Sequence, residues 1–314
     1  MSYDITHSNE NASDGTQADG AAAPRRGYQP SDEKDFGTKS METLQRAAAE
    51  LSFLLDRDYP RETAVEFVGN RYQFTTRQRL FLNRGVSGEA KRAARAAKHL
   101  KLEDLRGRDV CIDGFNVIVP LEVALVRSPL ISAQDGAIRD LAGINGTYRS
   151  VEQTMQAIDL VLDLLTEAQV ASATFYFDRP VRNSGRLAKT IADYVRALAN
   201  IQPSLPKVQA ALVDNVDNEL AGRAYVATND SAVIDHCQSW VSLDAAALDR
   251  VDDAWVLDAI APDEDPLYPD PARDILEADA STFGTSAAAD DRGPASRIPT
   301  IPISVQDPGD TFLS

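Results

Sequence analysis

Val110-Cys111-Ile112-Asp113-Gly114-Phe115-Asn116 reads as a short buried strand that runs into an aspartate and then turns. Two later stretches end the same way: Thr174-Phe175-Tyr176-Phe177-Asp178 and Tyr225-Val226-Ala227-Thr228-Asn229-Asp230. Further strands are expected near 208–213 and 240–243, and helices near 149–168, 184–199 and 230–238. Strands that alternate with helices imply a parallel α/β sheet with right-handed crossovers. In such a sheet the ligand crevice lies outside the carboxyl ends of the strands, so Asp113, Asp178 and Asp230 are expected on one edge.

The helix starts carry their own signals. Asn183-Ser184-Gly185 precedes the apolar positions Leu187, Ala188, Ile191 and Val195, and Ser150 stands three residues before Gln153 as a capping box would require. Upstream, Leu44, Ala47, Ala48, Leu51, Leu54 and Leu55 recur at helical spacing, Pro60 suits the first turn of a second helix, and Thr75 or Thr76 caps a third. The expected organisation is therefore a tail over 1–38, a helical module over 39–107, the α/β domain over 108–261, and an acidic, Pro-rich tail over 262–314. Neither tail has a periodic apolar face, and both are expected to be disordered.

The chain has 314 residues, a formal net charge of −16 and a pI near 4.6. That balance argues against a simple nucleic-acid-coating protein. Acidic residues dominate and Lys is scarce beside Arg, which suits a halophilic source. The module departs from this. Between Arg71 and Arg108 eleven Arg and Lys residues face only three acidic ones. Arg71, Arg92, Arg95 and Lys98 are the candidates for nucleic-acid contact; a solvated helix face, or docking onto the acidic domain, is the plainer alternative. The two cysteines form no metal-ligand pattern, and no apolar run reaches membrane-span length, so a cytoplasmic location with no membrane partner is expected. The N-terminus lacks the pattern of a signal peptide.

Chemistry concentrates at the strand ends. Gly114 lets the backbone turn after Asp113, and Asn116 can return an amide to the same place. Thr228-Asn229-Asp230 offers a hydroxyl and a carboxylate where a helix begins. Asp214 and Asp217 follow the strand at 208–213, whereas Asp235 points elsewhere on its helix. Two carboxylates about 5 Å apart repel by roughly 3 kcal/mol at an effective dielectric near 20, so the cluster calls for a cation, a shared proton or wider separation. Carboxylate oxygens suit Mg²⁺ or Mn²⁺, and metal-assisted phosphodiester hydrolysis is the chemistry they fit.

In this order, Asp113-Gly-Phe-Asn116, Phe177-Asp178 and Thr228-Asn-Asp230 resemble the NYN branch of the PIN-like nucleases, small parallel α/β domains that cut RNA with acidic residues and Mg²⁺ or Mn²⁺. Leu54-Leu55-Asp-Arg-Asp-Tyr59-Pro60, Val68-Gly-Asn-Arg71-Tyr72, Asp178-Arg-Pro-Val-Arg-Asn-Ser184-Gly185 and Ala227-Thr-Asn-Asp-Ser231-Ala-Val-Ile-Asp235 are similar to an uncharacterised archaeal family that joins a helical module to such a domain. The resemblance covers about residues 41–250. It implies metal binding by Asp113, Asp230 and Asp217, with Asp178 and Asn116 lining a catalytic site. Asn183, Ser184, Asp214 and Asp235 are secondary candidates. Glu122 and Glu152 compete for a further acidic position, Glu152 being the one expected on a helix. The loop 127–149 is unexplained by the pattern and is expected to be a lid or a substrate-contact loop. The leading expectation is a metal-dependent ribonuclease; a non-catalytic RNA- or protein-binding module and a small-ester phosphohydrolase are the alternatives.

Overall fold

The computed structural model describes residues 25–143 and 146–260. The helical module contains α1 (Asp32–Asp35), α2 (Thr38–Leu55), α3 (Arg61–Arg71), α4 (Thr76–Gly85) and α5 (Glu89–Ala96). Thr75 closes a capping box: its hydroxyl accepts from Gln78 N and the Gln78 side chain accepts from Thr75 N. The α/β part then runs β1 (Asp109–Asp113), α6 (Gly114–Leu125), β2 (Leu130–Ser132), β3 (Ile138–Asp140), α7 (Thr154–Glu167), β4 (Ser172–Asp178) and α8 (Ser184–Leu198). It continues through β5 (Lys207–Val213), α9 (Val216–Leu220), β6 (Val226–Ala227), α10 (Ser231–His236), β7 (Trp240–Val241), α11 (Leu243–Leu248) and β8 (Val256–Asp258).

The main sheet has the order β5-β4-β1-β6-β7 and every pairing in it is parallel. The chain builds outward from β1 through β4 to β5, then returns to the other side of β1 for β6 and β7. The order reverses at β1, where doubly wound sheets open a crevice at the carboxyl ends of the strands. Ile112, Phe175 and Ala227 are fully buried, and α6, α7, α8 and α11 contribute to the same core. Gly114 is held to glycine by packing. A Cβ there would lie 2.2 Å from Cε1 of Phe177, whose ring is itself fixed against Phe115 at a centroid distance of 5.0 Å. Helix α6 can therefore start directly at the end of β1, and only with this residue.

Several expectations are corrected. The segment 127–149 carries the antiparallel pair β2–β3, and β8 joins it in parallel as a second, three-stranded sheet. Ile131, Ala133, Leu141, Leu257 and Ala259 of this sheet region share a core with Leu44, Leu51, Phe81 and Leu82 of the module. These strands of three residues were too short to register as alternating patterns. The expected capping box at Ser150 does not form; α7 begins at Thr154, whose hydroxyl accepts from Val151 N, and Glu152 stands in the turn before it. The strand at Tyr225 is shorter than expected because Tyr225 takes a φ of 56°.

Of the tail assigned to 1–38, residues 25–38 are ordered, and 1–24 lie outside the described residues. Asp32 is fully buried and receives Nε and Nη2 of Arg77 at 2.8 and 3.0 Å, while Phe36 stacks obliquely on Phe81. Truncation before Thr38 therefore leaves Arg77 as an uncompensated buried cation. The expected cost is about 3 kcal/mol or more, which lowers the melting temperature by roughly 6–12 °C for a domain of this size; thermal unfolding at fixed salt measures it. The tail assigned to 262–314 lies outside the described residues.

Candidate functional site

Asp113 ends β1 with its side chain almost wholly buried. Its Oδ2 accepts from Nδ2 of Asn116 and from Oγ1 of Thr228, both at 2.8 Å. Asn116 lies in the first turn of α6, just after β1, and Thr228 follows the neighbouring strand β6. Both donors are neutral. Burial, above all, raises the Asp113 pKa to about 7; the two hydrogen bonds oppose the shift, and the charges of Asp230 and Asp217 add to it. The contrast with other buried acids is informative: Asp32 has Arg77, and Asp135 has Arg95 and Arg139. Asp113 has no cationic partner among the described residues.

The other candidates gather around it to different degrees. Asp230 caps α10, with Oδ1 accepting from Ala232 N at 2.6 Å and Val233 N at 3.3 Å. Asp178 ends β4 and accepts from Val216 N at 2.9 Å, which anchors the start of α9. Asp217, on α9, is exposed, yet its pKa is raised by burial first and then by the charges of Asp230 and Asp178. Asp113, Asp178, Asp217 and Asp230 thus share one electrostatic neighbourhood. Asp214 is exposed and paired with Arg179 at 3.3 Å. Asn183 caps nothing; it takes a left-handed conformation and donates Nδ2 to the Tyr148 carbonyl, with Ser184 buried beside it.

Four candidates have other duties. Asp235 accepts from Nε of Arg95 at 2.8 Å and Nζ of Lys91 at 2.9 Å. Arg95 is buried and also reaches Oδ2 of Asp135 at 2.6 Å. Lys98 donates to the Asp235 and Cys237 carbonyls. Arg92 binds Ser52, the Ser87 carbonyl and Gln134. Much of the basic character of 71–108 is therefore a docking surface for the α/β part, not a free face for nucleic acid. Arg71 lies 3.5 Å from Glu50 and over the Tyr72 ring. Glu122 sits on α6, fully buried against Arg26, Tyr148 and Thr154.

Asn116, Asp178 and Asp230 line a cleft of about 480 Å³, and the module supplies Arg61, Asn83 and Arg84 to the same cleft. Sequence patterns gave no reason to single out Arg61, which lies outside the basic stretch. Asn229, which also lines the cleft, donates Nδ2 to the Asn116 carbonyl and, at 2.6 Å, to Oδ2 of Asp244. Asp244 is fully buried, burial pushes its pKa well up, and its Oδ1 has no hydrogen-bond partner among the described residues. It sits inside an apolar-looking helix, Leu243–Leu248, where no motif marks it.

Among the described residues no three His, Cys, Asp or Glu side chains form a ready metal cage. Asp178 and Asp230 each give one oxygen to a helix start. The donor set still fits a hard cation, because Mg²⁺ commonly uses one or two carboxylates together with waters and a substrate phosphate. Nor is any helix among the described residues long and apolar enough to cross a membrane.

Two family profiles match the chain. Residues 43–98 match "Protein of unknown function (DUF434)" and residues 102–246 match "Domain of unknown function (DUF5616)". An uncharacterized protein of Methanocaldococcus jannaschii is 30% identical over 192 residues, which span 61% of this chain and 89% of that protein. No solved structure matches. The match spans most of the archaeal protein's length, and the chain belongs to the same family of uncharacterised proteins.

Proposed function

We propose that the protein is a metal-dependent phosphodiesterase of PIN-like type that cuts RNA at the carboxyl edge of its parallel sheet. The observation that carries this reading is Asp113: a buried carboxylate at the reversal point of the sheet, held by two neutral donors, with the charges of Asp230 and Asp217 acting on it. Such a group gains most from a cation. Asp113 and Asp230 would hold Mg²⁺ or Mn²⁺, with Asp217 and Asp178 close by. When bound, the ion would neutralise charge on the phosphate and make a bound water more acidic. The chain's own part is orientation: Asn116 and Thr228 fix the Asp113 carboxylate, and Asn229 and Asp244 fix Asn116.

A second reading, a non-catalytic RNA- or protein-binding module, draws support from the lack of a preformed three-carboxylate cage. A titration of Mg²⁺ and Mn²⁺ against pooled RNA separates the two. Cleavage that saturates with cation and stops with chelator is the expected result. RNA retained uncut at every cation concentration supports the binding module.

A further inference from the structure

Arg61 is a half-buried guanidinium that donates Nη1 to the carbonyls of Asn83 and Val86 at 3.0 and 2.9 Å. Among the described residues no carboxylate lies within ion-pair distance of it. Burial first, then the charges of Arg95 and Arg139, lower its pKa, and the more weakly acting carboxylates of Asp135 and Asp235 do not offset them. Arg84 gives only Nη1 to Asp140, to its carbonyl at 2.6 Å and its carboxylate at 3.4 Å. Arg139 lines the cleft too, but Asp135 holds its guanidinium at 2.7 and 2.9 Å. The cleft therefore joins two under-compensated cations of the helical module to the acidic edge of the sheet. A single anion could satisfy the first while approaching a cation held by the second, and planar guanidinium forks match phosphate oxygens.

We propose that Arg61 and Arg84 form a phosphate-binding site for the substrate, so that the reaction cleft is built jointly by the helical module and the α/β domain. This rests on the hydrolase reading for what the bound phosphate undergoes, but not for the binding itself.

The experiment is equilibrium binding of a fluorescent single-stranded RNA pentamer to the full chain, at low salt and with chelator present, so that neither metal nor cleavage contributes. Arg61→Gln and Arg84→Gln should each weaken binding about tenfold or more, with Arg61→Lys recovering part of the loss. A pentamer with uncharged methylphosphonate linkages should bind wild type and variants alike. Should Arg61→Gln fail to fold, Arg84→Gln, which loses only the Asp140 contacts, carries the test. Equal affinity of folded variants and wild type for the charged pentamer overturns the site. Competition by a nucleoside monophosphate as strong as by the pentamer would assign the site to a small ester; weaker competition assigns it to a polymer, and both uphold phosphate binding. RNA bound through these arginines yet never cut under any cation would sink the hydrolase and leave the phosphate site standing.

Discussion

Asp113→Asn should abolish Mg²⁺- or Mn²⁺-dependent cleavage, lowering the rate by about 10²-fold or more, without unfolding the protein. Loss of one preorganised electrostatic group at a reacting centre has effects of roughly that size. The amide oxygen can still accept from Asn116 and Thr228, so the local hydrogen bonds survive while the charge goes. Stability without metal carries a second, independent signature. Folding raises the Asp113 pKa from 3.8 to about 7, so the folded state binds the proton more tightly than the unfolded chain. The stabilisation from this group is complete below about pH 4 and is lost as pH rises through about 7. The variant lacks that loss. Above pH 7, and free of metal, Asp113→Asn should unfold at or above the wild-type temperature, and added cation should stabilise wild type more than variant. Equal metal shifts in both, measured by thermal unfolding, together with wild-type cleavage by the variant, would remove Asp113 from the site.

How much of this was legible in the chain follows from the range over which each signal acts. The strand ends at Asp113 and Asp178 were readable because buried parallel strands are apolar runs whose termini are marked by residue type, whereas the third strand stops at Ala227 and Asp230 stands beyond it as the cap of α10. A cap at Thr75 or Thr76 was readable because N-cap signals are local, and the structure places it at Thr75, in a capping box with Gln78. Ser150 shows the limit of such signals: the same spacing stands there, yet α7 starts later at Thr154. The second sheet was invisible, since β2, β3 and β8 have three residues each and β8 pairs with β2 across more than a hundred positions. Arg61 and Asp244 were hidden for the same reason. Their significance comes from what the fold sets beside them, a cleft in one case and Asn229 in the other. Charge composition misled in a specific way: a basic stretch in an acidic protein is a footprint for an anion, and here much of that anion belongs to the same chain.

Arg95 is where that intramolecular pairing is tightest, and Arg95→Met should destabilise the protein by about 3–5 kcal/mol. The guanidinium is buried and bridges Asp135 of the β2–β3 turn to Asp235 of α10, at 2.6 and 2.8 Å, and donates to Ser87 as well. Its carbonyl accepts from the Trp240 indole, and His99 stacks on that ring at 4.2 Å. Methionine keeps much of the stem's volume but leaves Asp135 to Arg139 alone and Asp235 to Lys91. Burial works against the ionised form of Asp235, yet hydrogen bonds from Arg95 and Lys91 hold its pKa down to about 2. A depressed folded-state pKa stabilises above the unfolded value near 3.8, and that stabilisation is lost as pH falls through about 2. The variant should therefore lose stability at neutral pH and also show a shallower decline between pH 4 and pH 2. Denaturant unfolding across that range separates this electrostatic role from simple packing: a uniform loss at every pH would mean that Arg95 acts through its stem. Because Arg61 and Arg84 belong to the docked module, loosening of that contact should also weaken RNA binding in Arg95→Met, although Arg95 does not line the cleft. Undiminished binding in a destabilised variant would show that the module holds its place by the apolar core around Ile131, Leu257 and Leu82 alone.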